Sequence, residues 1–107
     1  MGENFAQPHA VIRVHRPAAA WRDLVRKYWI EINGVRAGQI GNDQQLDFPV
    51  PPGVYDVRAA IDWSGSRVVR VELAPGQTAD LTVEPAGSSF QFWQAFTRQG
   101  YLRLTRT

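Results

Sequence analysis

Hydrophobic and polar residues alternate along this chain with a period of two. From Val54 to Trp63 one parity reads Tyr55, Val57, Ala59, Ile61, Trp63, and the other reads Val54, Asp56, Arg58, Ala60, Asp62. Only an extended strand turns the first set towards a core and the second towards water. Arg67 to Leu73 repeats the pattern with Val69, Val71 and Leu73 on the apolar side. Thr78 to Glu84 does so again with Ala79, Leu81 and Val83. Shorter stretches are Ile12/Val14, Tyr28/Ile30/Ile32, Leu46/Phe48/Val50 and Leu102/Leu104.

Turn signals separate these runs. Asn33-Gly34, Gly41-Asn42-Asp43, Pro51-Pro52-Gly53, Ser64-Gly65-Ser66, Pro75-Gly76, Pro85-Ala86-Gly87 and Gly100 recur at roughly the 8–12-residue spacing of all-β sandwiches and barrels. Asn33-Gly34 predicts a two-residue type I′ hairpin, because both residues tolerate positive φ. Trp63 to Arg67 predicts a second, slightly longer one. Pro49, Pro51 and Pro52 cannot donate to a ladder, so Leu46 to Val50 belongs at a sheet edge. The expected fold is all-β: a two-sheet antiparallel sandwich, Ig- or transthyretin-like, of about seven to nine short strands. A small closed barrel is the alternative. Over residues 18–27 the spacing of Trp21, Leu24 and Val25 fits a short helix, and a loop tacked down by Trp21 fits equally.

The chain of 107 residues suits one domain spanning 1–107, with residues 1–8 as a flexible start. A hydrophobic share of 44% is too high for a disordered chain. Zero Cys excludes disulfides, thiolate nucleophiles and Cys-based metal sites. No apolar run reaches the roughly 20 residues of a membrane helix. The start lacks the basic-then-apolar order of a secretory signal, which makes the cytoplasm the expected location.

Candidate chemistry is sparse. His9 and His15 on one strand stand roughly 20 Å apart, too far to share an ion. Asp56 and Asp62 are separated similarly, beyond the roughly 5–9.5 Å of a glycosidase pair. Ser64, Ser66, Ser88 and Ser89 lie in turns without a nucleophile elbow. Neither a phosphate loop nor a calcium loop is present. The expectation is a non-enzymatic protein with no catalytic residue, metal or cofactor.

From Tyr28 to Glu84 the order of turns is familiar. Asn33-Gly34, then Pro52-Gly53 before Tyr55, then Pro75-Gly76-Gln77-Thr78 resembles PEGA-type modules and related small bacterial β-sandwich proteins. Asp62-Trp63 and Gly100-Tyr101 also resemble features of the latter group. The literal Pro-Glu-Gly-Ala string is missing, and the motifs are turn signatures. The resemblance implies a non-enzymatic bacterial module and carries over no active-site residue.

The net charge of +2 conceals an uneven distribution. Residues 13–36 hold Arg13, Arg16, Arg22, Arg26, Lys27 and Arg36 against Asp23 and Glu31. Residues 37–97 hold three arginines against seven acids, and residues 98–107 hold Arg98, Arg103 and Arg106 with no acid. If the terminal strands share a sheet, a basic face results. Acids interleave and no RNA-binding signature is present, so nucleic acid is not the expected partner.

Aromatic residues concentrate late. Phe90, Phe92, Trp93 and Phe96, followed by Arg98, either cap the sandwich or form a contact surface, since Trp, Phe and Arg are enriched in interface cores. Trp29, Tyr101 and Arg103 form a second candidate patch. The expected function is a binding or assembly module contacting a protein partner or a second copy. The alternative is a ligand-binding module for carbohydrate or an anionic lipid or polymer surface, with membrane-surface contact open. Asp62-Trp63 is a candidate for sugar stacking, although Trp63 also continues the core parity of its strand.

Overall fold

The computed structural model describes residues 9–18, 27–61, 64–85 and 102–107. Among them eight strands run in order: β1 (Ala10–Arg16), β2 (Tyr28–Ile32), β3 (Val35–Ile40), β4 (Gln44–Val50), β5 (Gly53–Ala60), β6 (Val69–Leu73), β7 (Thr78–Pro85) and β8 (Leu102–Arg106). They form two four-stranded sheets, ordered β4-β1-β7-β8 and β3-β2-β5-β6. The chain crosses between the sheets after β1, β3, β4 and β6, so neither sheet is built from one continuous run. The expected sandwich is the observed fold.

One feature of the topology departs from the all-antiparallel expectation. β1 and β7 pair in parallel, Ile12 opposite Ala79 and Val14 opposite Leu81. Parallel neighbours need a long connection, and the five strands between β1 and β7 supply it. Local turn signals cannot reveal a pairing between strands so far apart in sequence.

The alternating positions build the core. Ile12, Val14, Leu81, Val83 and Leu104 of the first sheet face Tyr28, Ile30, Val57, Ala59 and Val71 of the second, all buried. Phe48, Leu46 and Val50 on β4, with Tyr55 and Val69, pack around this cluster partly exposed. Each fully buried aliphatic side chain contributes about 1.5–3 kcal/mol relative to exposure.

The predicted turns take their expected places. Asn33 and Gly34 have φ of 52° and 80°, the positive values that a type I′ turn demands at both positions. β4, with Pro49 inside it, is an edge strand. The β5–β6 connection is longer than the turn residues predict. β5 stops at Ala60 and β6 starts at Val69, with Gly65 returning to bridge Ala60. Ala60, expected to face water, is 2% exposed; it stands between Trp29 and Gly65 in the sheet. The 18–27 helix-or-loop alternative falls mostly outside the described residues, as do Asp62-Trp63 and residues 1–8.

Candidate interaction surface

The outer face of β3-β2-β5-β6 is assembled by register. Glu31 stands opposite both Arg36 and Arg58, and Asp56 stands opposite Arg70. Residues directly opposite one another share a face and have Cβ atoms about 4.5–5.5 Å apart, so each acid meets a guanidinium. Arg58 Nη1 donates to Glu31 Oε1 at 3.2 Å, with both side chains 19% exposed, and Arg58 Nε donates to the Ser66 carbonyl at 3.1 Å. Arg70 Nε donates to Asp56 Oδ1 at 2.9 Å. The hairpin is tied to β5 by Asn33, whose amide donates to the Asp56 carbonyl while its side-chain oxygen accepts from the Asp56 amide.

Trp29 lies on the same face, half-buried, with the Arg36 guanidinium 4.4 Å from its ring centroid. A bulge brings the two together. Ile30 pairs with Gly38 and Glu31 with Arg36, leaving Ala37 as the extra residue. The bulge therefore shifts Arg36 one place along the ladder. An arginine stacked on an indole holds a flat, amphipathic surface. Val35, Val54 and Val68 on this sheet and its loops are 68%, 53% and 50% exposed.

The opposite outer face was expected to be basic. β1 and β8 do share a sheet, but β7 runs between them and β4 flanks β1. Those two strands bring acids. Arg13 makes a two-pronged contact with Asp47, at 2.8 and 3.1 Å, and approaches Asp80 at 4.0 Å. Arg103 donates to Glu84 at 2.7 Å. Arg16 leaves the surface altogether at 1% exposure. On the described surface of this sheet Arg13 and Arg103 are neutralised and Arg106 alone of the basic-segment arginines stays exposed without an ion pair, so the expected basic face does not form there.

Two carboxylates register this pairing. Hydrogen bonds from Arg13 hold Asp47 below the ordinary carboxylate range, and those from Arg70 do the same for Asp56. A lowered folded-state pKa means a contribution that is complete above the unfolded value of about 3.9 and lost as pH falls through the folded value. The stability gap between the native chain and an Asp47→Asn/Asp56→Asn variant should therefore be open at pH 7. It should close in strong acid, as read from urea midpoints. Both pairs are solvent-exposed, so salt should narrow the gap too.

The predicted patch of Trp29, Tyr101 and Arg103 does not come together as proposed. Trp29 points outward from one sheet and Arg103, paired to Glu84, outward from the other; Tyr101 lies outside the described residues. So do Phe90, Phe92, Trp93, Phe96 and Arg98. β7 ends at Pro85 and β8 begins at Leu102, and these two residues pair with each other. Sequence reasoning missed the Glu31–Arg58 and Asp56–Arg70 pairs. Their outward parity was readable, but the register that places them opposite one another was not. Among the described residues no group of three or more His, Asp or Glu side chains could hold a metal ion. No helix among them is long and apolar enough to cross a membrane.

A scan against protein-family models finds no match, and a comparison with curated proteins finds none either.

Proposed function

We propose that this chain is a non-enzymatic β-sandwich module that works by protein–protein contact, self-association included. The observation that carries this reading is the outer face of β3-β2-β5-β6. It joins a half-exposed tryptophan under an arginine to exposed Val54 and Val68, with Glu31–Arg58 and Asp56–Arg70 paired within the sheet. Interface cores are depleted in unpaired charge and enriched in Trp and Arg. The aromatic segment Phe90, Phe92, Trp93, Phe96 and Arg98 is the second contact element of this proposal. Its composition is that of an interface hot spot.

Light scattering on the purified chain across a range of concentrations tests the reading. A mass above that of one chain is expected, together with a shift towards the monomer in Trp93→Ala/Phe96→Ala at an unchanged unfolding transition. If those two substitutions abolish the cooperative transition, the rings belong to the core. A monomer at every concentration, whose tryptophan emission responds to glycans or to anionic vesicles, overturns the reading in favour of ligand binding.

A further inference from the structure

A four-stranded sheet has two open edges, and a sandwich of two such sheets has four. An open edge is a template for another strand, which proteins usually blunt with a bulge, a proline or charges that repel a partner. Here the edges are β3, β4, β6 and β8. β3 carries the Ala37 bulge, and β4 carries Pro49. β8 carries Arg103 and Arg106 without an acid, so it offers a second β8 no complementary charge. β6 has none of these defences. Its sequence is Val69-Arg70-Val71-Glu72-Leu73. Among the described residues its backbone bonds to β5 on one side, and no hydrogen bond is shown on the other.

Placed antiparallel against itself about Val71, that sequence is its own complement. Residue 70 of one strand then stands opposite residue 72 of the other, and residue 69 opposite residue 73. Arg70 faces Glu72 twice on the outer face, and Val69 faces Leu73 twice on the core side. The outward and inward parities already match those of the parent sheet, where Arg70 and Glu72 are exposed while Val71 and Leu73 are buried. Pairing in this register would therefore extend both faces of the sheet without turning a charge inward. Val54, opposite Glu72, and Val68, just before the strand, add exposed apolar surface beside the edge.

We infer that β6 is a homotypic docking edge: two copies of this chain join β6 to β6, antiparallel about Val71, into one continuous eight-stranded sheet. The inference rests on the protein-contact reading and names its partner as a second copy. The interface has two-fold symmetry, the commonest arrangement of soluble oligomers, in which one patch meets itself. Main-chain bonds supply the adhesion, and the two Arg70–Glu72 pairs select the register.

A charge exchange tests it. Glu72→Arg alone places two arginines opposite two arginines, and Arg70→Glu alone places two acids opposite two acids. Each variant should dimerise at least about ten-fold more weakly than the native chain, because two attractive cross-strand pairs become repulsive. An equimolar mixture of the two variants restores both attractive pairs and should form the mixed dimer. Arg70→Glu also removes the partner of Asp56, so circular dichroism must first show both variants folded. Amide exchange on the native chain is the second measurement: protection of β6 amides should rise with protein concentration. Single variants that dimerise like the native chain, or a mixture that stays monomeric, overturn the β6 edge while leaving self-association intact. β6 amides indifferent to concentration overturn it as well. A native chain that never dimerises overturns the protein-contact reading along with it.

Discussion

Replacing Gly65 with alanine should cost about 3 kcal/mol, at the upper end of what overpacking a tight site costs. The space explains the figure. A Cβ at Gly65 falls 2.5 Å from the Ala59 carbonyl oxygen and 2.7 Å from the Arg58 guanidinium. The guanidinium can move, but it is held by Glu31 and by the Ser66 carbonyl. The carbonyl cannot, because it accepts the Ser66 amide at 2.8 Å. Displacing residue 65 also strains the bond from the Leu102 amide to the Gly65 carbonyl, at 3.2 Å, which links β8 to the β5–β6 connection. One methyl group thus disturbs the seam between the two sheets. For a domain of this size the melting temperature should fall by roughly 12–24 °C, at about 4–8 °C per kcal/mol. Gly76→Ala is the control. That glycine has φ of 79° and nothing within 4 Å of its Cβ position, so only backbone strain of about 1–2 kcal/mol is at stake. Thermal unfolding followed by circular dichroism separates the two, and equal losses would show that crowding at residue 65 is relieved.

The contrast between Gly65 and Gly34 shows what was legible in the sequence. Asn33-Gly34 declares its turn because the chemistry of positive φ is local, and the structure has that turn. Gly65 was read as another turn residue, whereas its real constraint is steric and comes from residues 58 and 59, which are near in space through a return of the chain. The same division runs through the surface. Period-two alternation gave the inner and outer face of nearly every strand, including the exposed parity of Arg58 and Arg70. Pairing order is a property of the whole chain, and it decides which outward residues become neighbours. The parallel β1–β7 pair, the Glu31–Arg58 contact and the neutralised face around Arg13 all follow from it. A net-charge count along the sequence could not foresee that β7 would insert Asp80 and Glu84 between two basic strands.

Arg16 makes the same point, and Arg16→Ala should destabilise the fold by about 3 kcal/mol, within the range for truncating a large buried side chain. Ile12, Val14 and Arg16 share a parity, and the first two are core. The structure keeps Arg16 on that inward side at 1% exposure, with its guanidinium 3.9 Å from the Tyr28 ring centroid and Nη1 donating to the Ile40 carbonyl at 3.2 Å. Tyr28 and Ile40 are opposite one another in the β2–β3 ladder, so a side chain rooted in β1 reaches across and fastens the end of the other sheet. Alanine removes the stem, the stacked plane and the donor to a buried carbonyl together. Arg16→Lys is the informative companion, because it keeps charge and much of the length but not the planar fork that lies on a ring and donates at its edge. It should recover less than half of the loss seen with alanine in urea unfolding at pH 7. Full recovery would mean that charge alone is required there. Neither substitution should change surface binding of anions, since a cation enclosed between two sheets was never part of the surface that a partner meets.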